Sequence, residues 1–460
     1  MARTRPRVAI VGAGPAGAFA AACLLRARGD AEIDLFERLP TPWGLLRGGV
    51  APDHQEIKRL EDTFDGQTLG RGCRFLGNVE VGVDVSHAEL MRHYTAVVYA
   101  TGAQTDKSLG IPGEDLPGSW AATEFVAWYN GHPDYRELDF DLSGKRAVVI
   151  GNGNVAADVT RILLRGTNEL EGTDVADHAL DALRESRIEE VVVLGRRGPA
   201  QAAFTSSELR ELGELDGVDT TVDPEDAELD PISLQWLQEQ GTFTARKNVE
   251  LLREFATRSP RAGARRRLLL RFLRSPVEIR GTGKVEAVDV CRNEIVRTDD
   301  GSLRPRPLEG GLETIECGLV LRSVGYRAVP LPDVPFDELS YVLPNERGRV
   351  MDPGGKPLTG VYAVGWIKRG PTGILGTNKR DAEETVSCLA EDLSAGALPG
   401  PPEPDRERMD ALLAERKPDL VTVVGWRAID GHELERGQTE GRPRVKLASR
   451  DELLAAATRA

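Results

Sequence analysis

Two glycine-rich turns in this 460-residue chain are followed by opposite charges at matching positions. The first, Gly12-Ala13-Gly14-Pro15-Ala16-Gly17, follows the apolar run RVAIV at 7–11 and opens a helix predicted over about 15–28. A second apolar run, 32–36, then ends on Glu37, 25 residues beyond Gly12. The second turn, Gly151-Asn152-Gly153-Asn154-Val155-Ala156, follows RAVVI at 146–150 and opens a helix predicted to about 164. Its next strand, 188–194, ends on Gly195-Arg196-Arg197-Gly198. Such turns let backbone approach a pyrophosphate, which sits on free N–H groups at a helix N-terminus. An acid after the second strand accepts hydrogen bonds from ribose hydroxyls, whereas paired arginines hold a 2′-phosphate bidentately. Gly12, Gly14, Pro15 and Glu37 therefore suit FAD or NAD. Asn152, Gly153, Asn154, Val155, Arg196 and Arg197 suit NADP.

The elements that position these groups read as α/β, with two Rossmann-like dinucleotide-binding domains. The strand 97–103 ends in ATGA, and a further strand, 361–366, runs into Gly365-Trp366. The first sheet is thus expected to be interrupted and resumed. The expected FAD domain is 1–104 plus 325–460, and the NADP domain, 105–324, is inserted into it. Residues 367–378 are turn-rich and lead into a helix predicted over about 377–390, where free N–H groups can face a flavin. Trp366 can stack there. The stretch 396–405 reads as a linker, and 406–460 as an extension without a catalytic motif. An extra helix is expected within 173–185.

Two nucleotides in one chain imply electron transfer: NADPH delivers a hydride to flavin, which passes electrons onward. The remaining composition narrows the acceptor. Cys23, Cys73, Cys291, Cys317 and Cys388 contain no CxxC, which excludes a local dithiol of the thioredoxin-reductase kind and clustered iron–sulfur or zinc ligands. No metal is expected. The net charge of -14 disfavours nucleic acid. With no apolar span and no convincing cleavage site, a cytoplasmic protein is expected. One basic run departs from the acidic whole: Arg261, Arg265, Arg266, Arg267, Arg271 and Arg274. It reads either as a docking face for an acidic protein or as a protected strand edge.

The stretches LPTPWGLLRGGVAPDH (39–54), IPGEDLPGS (111–119), VVIGNGNVAADVTRILL (148–164), GRRGPAQAAFTSSELREL (195–212), RFLRSPVEI (271–279) and VGWIKRGPTGILGTNKRDA (364–382) resemble the adrenodoxin-reductase type of ferredoxin–NADP reductase, particularly its actinobacterial members. The resemblance covers nearly the whole chain. It implies FAD contacts from Gly12, Glu37, Leu45, Trp366, Gly373, Ile374 and Leu375. It implies NADP contacts from 152–155, Arg196, Arg197, Glu208 and Gly373. It places His54 beside the flavin, where hydride transfer needs positioning rather than a general base. The implied partner is an acidic iron–sulfur ferredoxin, docking on basic residues of the NADP domain and often supplying cytochrome P450 oxidases.

Overall fold

The computed structural model describes residues 5–373 and 375–459. Contacts divide it into two units, described separately below. The first comprises Met1–Thr105, Asn130–Asp134 and Tyr326–Ala460. The second comprises Asp106–Tyr129 and Tyr135–Gly325.

The run RVAIV is buried at every position, as expected of a parallel strand covered on both faces. It forms the strand Arg7–Val11, which lies parallel between Glu32–Glu37 and Ala96–Tyr99 in a seven-stranded sheet. Arg74–Gly77 extends this sheet on one side. On the other side Pro357–Ala363 lies parallel to Ala96–Tyr99, with Val361 opposite Val97. The sheet is therefore completed by chain arriving more than 250 residues later. Alternate side chains serve two cores: Val8 and Ile10 on one face, Ala9 and Val11 on the other. The helices Pro15–Ala27 and Leu375–Ser394 pack together over the first face.

In the second unit six strands run parallel, in the spatial order Ser119–Ala121, Leu319–Arg322, Arg146–Ile150, Glu190–Leu194, Arg266–Arg271, Val218–Val222. A separate antiparallel sheet of Arg274–Arg280, Ala287–Arg297 and Leu303–Glu316 packs Ile279, Val288 and Val290 beneath it. The extra helix falls at Asp177–Arg184. Among the described residues no helix is long and apolar enough to cross a membrane.

Two expectations change. The arginine run is not a strand edge: Arg266–Arg271 has neighbours on both sides, and its Leu268 and Leu270 are buried. The strand reads RRLLLR: Leu268 and Leu270 point to one face, and Arg267 and Arg271 share the other with the half-buried Leu269. Second, Asn130–Asp134 groups with the first unit, where the sequence suggests one continuous insertion over 105–324. The Asn130 amide oxygen accepts from Lys58 Nζ at 2.9 Å and Lys446 Nζ at 3.1 Å. The Asp134 carboxylate accepts from Arg38 at 2.5 Å and Arg450 at 3.3 Å.

The C-terminal extension, assigned from the sequence to this unit, enters its core. Val421, Trp426, Ile429, Leu447 and Leu453 join the cluster around Val8 and Ile10. Val421 bridges Gly77 at the sheet's outer strand, and the helix Val423–Glu440 follows directly. Glu433, fully buried on that helix, accepts two hydrogen bonds from Arg47, at 2.6 and 2.9 Å, and one from the Leu447 N–H at 2.9 Å. Arg444 lies 3.3 Å from it and also pairs with Asp430 and Glu61.

Burial pushes the Glu433 carboxyl up, but Arg47, Arg444 and the Leu447 N–H prevail and hold it below its ordinary range. A lowered folded pKa gives stability that is full above the unfolded value and is lost as pH falls through the folded one. Replacing Glu433 by alanine takes its two-bond carboxylate from the buried Arg47 and one of three carboxylates from Arg444, so Glu433→Ala is expected to cost about 3–5 kcal/mol in urea unfolding at pH 7. Glu433→Gln is expected to show a weaker loss of stability on acidification than the parent. Equal midpoints for parent and Glu433→Ala would disprove the role.

Candidate functional site

Both glycine turns are built by one set of contacts. In the first, the Gly12 N–H donates to Phe36 O at 2.8 Å, and the Ala100 N–H donates to Val11 O at 2.8 Å. In the second, the Gly151 N–H donates to Leu194 O at 2.9 Å, and the Ser323 N–H donates to Ile150 O at 2.7 Å. Each turn is thus gripped by the ends of both flanking strands. Gly12 has φ 104° and Gly151 φ 125°, conformations that disfavour any side chain. Space is equally restrictive: a Cβ on Gly12 would lie 2.6 Å from Ala100 O, and one on Gly151 2.0 Å from Ser323 O. Both turns feed helix N-termini, Pro15–Ala27 and Asn154–Leu164, and neither cap residue, Gly14 or Gly153, offers a side chain to the free N–H groups. Those donors are left for an anion.

The loop Pro42–Gly44 closes on the first turn: the Trp43 N–H donates to Ala13 O at 2.9 Å, and the Gly44 and Gly14 backbones face each other. It delivers Leu45, 36% exposed, to the turn's edge at the start of the short helix Leu45–Gly48. Glu37 stands across from the turn. Its carboxylate accepts from the Ala13 N–H at 3.0 Å and the Leu39 N–H at 3.2 Å. Burial pushes its carboxyl pKa up against those two bonds.

At the matching position of the second unit, Arg196 is exposed and Arg197 half-buried. Burial, then the neighbouring Arg196, lowers the Arg197 pKa, though a guanidinium stays charged at any working pH. Neither guanidinium is ion-paired among the described residues, in a chain where most buried arginines are. Asn154 accepts the Thr205 N–H on its amide oxygen at 2.8 Å, so only its NH2 remains for a ligand. Glu208 is the third residue of the helix Ser206–Glu214, capped by Thr205 rather than by Ser206 or Ser207. Its carboxylate is held by the buried Arg161 at 2.5 Å.

The segment 365–378 comes to the first turn through Gly365, where a Cβ would lie 2.5 Å from the Cβ of Ala16. Trp366 starts the short helix Trp366–Arg369, its ring 5.2 Å from that of Tyr326. The helix predicted to start near 377 starts at Leu375, half-buried, after the exposed Gly373. Ile374 lies outside the described residues. Sequence reasoning missed what fixes this segment. Asp381 accepts the Gly365 N–H at 2.5 Å and pairs with the buried Lys368 at 2.9 Å. Arg369 donates to the carbonyls of Gly370 and Thr372 and to the Asn378 side chain. The only signal was the dense KR…NKRD pattern, which gives no pairing. His54 sits half-buried at the start of the helix Gln55–Lys58, its N–H on Ala51 O at 3.0 Å.

The six arginines do not form one face. Arg274 is buried against Asp226 at 3.3 Å, and Arg271 is ringed by Asp223, Asp226 and Glu313. Arg266 caps the carbonyls of Leu164 and Arg165, at 2.7 and 2.8 Å. Arg261, Arg265 and Arg267 are exposed. Of these, Arg267 lies 3.6 Å from Glu190, and Arg261 donates to the carbonyls of Leu215 and Gly213. The docking expectation is corrected for Arg271 and Arg274, whose charges are neutralised by carboxylates distant in sequence.

Residues 6–197 match the family described as pyridine nucleotide-disulphide oxidoreductase. All five cysteines are nonetheless free, and burial pushes the thiols of Cys73 and Cys317 up to about 12. These two are not thiolates at neutral pH. The chain is 50% identical over 453 residues to NADPH-ferredoxin reductase FprA of Mycobacterium leprae (strain TN), covering 97% of each. It is 42% identical over 458 residues to the mitochondrial NADPH:adrenodoxin oxidoreductase of Bos taurus, covering 98% of this chain and 91% of that one. The solved structure of Mycobacterium tuberculosis FprA in complex with NADPH superposes with a TM-score of 0.91 at 48% identity, covering 99% of this chain and 100% of that one.

The two turns differ at their closest helix–strand approach. A Cβ on Gly17 would lie 2.0 Å from Gly12 O, whereas Ala156 already carries one, fully buried. Gly17→Ala is therefore expected to lower the thermal midpoint strongly, since helix and turn must separate. Ala156→Gly is expected to cost about 1 kcal/mol or less beyond its lost methyl contacts. Calorimetry of both variants would reject this reading of the packing if Gly17→Ala proved the milder.

Proposed function

Since the chain belongs to the FprA-type NADPH-ferredoxin reductases, we propose that it carries electrons between NADPH and a small iron–sulfur ferredoxin through FAD. The observation that carries the nucleotide assignment is the contrast between two alike turns, one facing the half-buried Glu37, the other facing guanidinium groups that have no acidic partner among the described residues. A plain ribose fits the first, and a ribose bearing a 2′-phosphate fits the second.

In this reading Gly12, Gly14 and Pro15 present helix N–H groups to the flavin nucleotide's pyrophosphate, and Glu37 receives its ribose hydroxyls. Leu45, Trp366, Gly373 and Leu375 line the rest of that site. Asn152, Gly153, Asn154 and Val155 present the second helix's N–H groups. Arg196 and Arg197 clamp the 2′-phosphate. Glu208 would touch NADP only at its margin, because Arg161 already engages its carboxylate. Bound FAD takes up a hydride's two electrons and gives them out singly. His54 has no proton to move in a hydride transfer, and its role is to orient. An acidic ferredoxin would meet Arg261, Arg265 and Arg267, and cytochrome P450 oxidases are the proposed onward users.

Anaerobic stopped-flow mixing with NADPH is expected to bleach the flavin absorbance rapidly. Arg197→Ala should raise the KM for NADPH by about 10-fold or more, from loss of a charge-assisted bond, while the KM for NADH stays put. Parallel rises for both nucleotides would refute the 2′-phosphate assignment. In a second experiment, reduced enzyme is mixed with a ferredoxin. Transfer is expected to slow with rising salt and to slow at low salt in a variant carrying Arg265→Glu and Arg267→Glu. A salt-independent rate would place docking elsewhere. Rapid transfer to a quinone but to no ferredoxin would replace the proposed acceptor.

A further inference from the structure

The turn that carries Arg196 and Arg197 is held from behind, one carbonyl at a time. Gly195 O accepts the Arg274 N–H at 3.0 Å. Arg196 O accepts the side-chain Nδ2 of Asn293 at 2.8 Å. Arg197 O accepts the Leu273 N–H at 3.1 Å. Three successive carbonyls are thus captured by two short pieces of chain, 273–274 and the strand Ala287–Arg297. Those pieces are themselves joined: the Asn293 N–H donates to Leu273 O at 2.8 Å, and its Nδ2 also donates to Ser275 Oγ at 2.8 Å.

Two features mark this brace as specialised. Leu273 has φ 53°, in the left-handed region that non-glycine residues rarely occupy. That turn of backbone aims its N–H at Arg197 and its carbonyl at Asn293. The strand carrying Asn293 slips register between Cys291 and Asn293, so that Leu312 and Pro307 face these successive partners. The irregularity places Asn293 out of the regular ladder, with its amide 98% buried beneath the arginine turn. A buried carboxamide is retained where its hydrogen bonds are directional, and here both Nδ2 donors are used.

We propose that Asn293 is a positioning residue for nucleotide choice. By fixing the Arg196 carbonyl, it fixes the direction in which the two guanidinium groups leave the turn, and so the bidentate geometry toward a 2′-phosphate. This rests on the reading that Arg196 and Arg197 hold that phosphate. Among the described residues the guanidinium pair has no acidic partner to orient it, so the backbone behind it is what does so. Asn293→Asp keeps the shape and removes the donor. It turns a carboxylate oxygen toward the Arg196 carbonyl. Asn293→Ala removes the donor without adding a charge.

The test compares both variants with the parent and with Arg196→Ala in steady-state kinetics with NADPH and with NADH. Flavin absorbance and thermal midpoint report folding. Binding of 2′,5′-ADP, which carries the 2′-phosphate without a nicotinamide, is titrated against 5′-AMP. Both Asn293 variants are expected to raise the KM for NADPH about 5–20-fold, from one lost buried hydrogen bond and its stranded acceptor, with kcat and the KM for NADH within about twofold of the parent. They should weaken 2′,5′-ADP by a like factor and leave 5′-AMP unchanged. Unchanged 2′,5′-ADP affinity in both variants, with Arg196→Ala weakened, would overturn the role of Asn293 alone. Unchanged affinity in Arg196→Ala would overturn the phosphate reading and this inference with it. Equal weakening of both nucleotides in the Asn293 variants would reduce Asn293 to a folding residue.

Discussion

In each unit a backbone carbonyl stands where a glycine's missing side chain would go, Ala100 O against Gly12 and Ser323 O against Gly151. This close approach lets the chain leave one strand, pass over its neighbour's end and enter a helix with its first N–H groups unoccupied. Nearly everything else in the site follows from it. The neighbour must be present, and in both units it comes from afar: Ala100 ends a strand about 90 residues after Gly12, and Ser323 about 170 after Gly151. The two glycine turns are therefore tertiary features, completed only when the sheets are.

Once the two turns are equivalent in backbone, the difference in chemistry lies at the end of the second strand. Glu37 is satisfied by two N–H groups of its own surroundings and carries a raised pKa. Arg196 and Arg197 are instead held through main-chain carbonyls, with their charges left open. The same scaffold thus turns an acceptor inward in one case and donors outward in the other. Around them, the chain neutralises its buried charges: Lys368 with Asp381, Arg161 with Glu208, Arg271 and Arg274 with Asp226, Arg47 and Arg444 with Glu433. Against that background, two adjacent arginines with no ion-pair partner among the described residues are conspicuous.

Local patterns carried much of this to the reader of the sequence. RVAIV and RAVVI, each followed by glycine spacing and a helix, mark both turns, because strand, turn and helix there are contiguous. Glu37 and the Arg196–Arg197 pair were found by counting from those turns. The helix after Gly373 was also legible, with its start misplaced by two residues. What stayed hidden depends on partners distant in the chain. The arginine run looked like one patch because six like charges are close in sequence. Whether each faces solvent or a carboxylate is decided by Asp223, Asp226 and Glu313, which no spacing rule connects to it. Asn293 and Asp381 were invisible for the same reason: each acts on a backbone group 97 or 16 residues away. In the tail, Val421 makes a single bridge to Gly77, and the chain turns helical only two residues later, at Val423.

The short excursion Asn130–Asp134 bears on how such a protein is assembled from parts. An inserted domain joined by two crossings can be lifted out and exchanged between relatives by cutting at those crossings. Here the chain changes units four times, and the middle pair of changes leaves five residues behind. A chimaera recombined at 105 and 325 would import a foreign loop opposite Lys58, Lys446, Arg38 and Arg450, four cations that are matched to one amide and one carboxylate. The transferable module is therefore the inserted stretch together with the residues that receive its loop, including two from the C-terminal tail. Genetic exchange that ignores the tail would pass on a nucleotide preference at the expense of the other unit's charge balance.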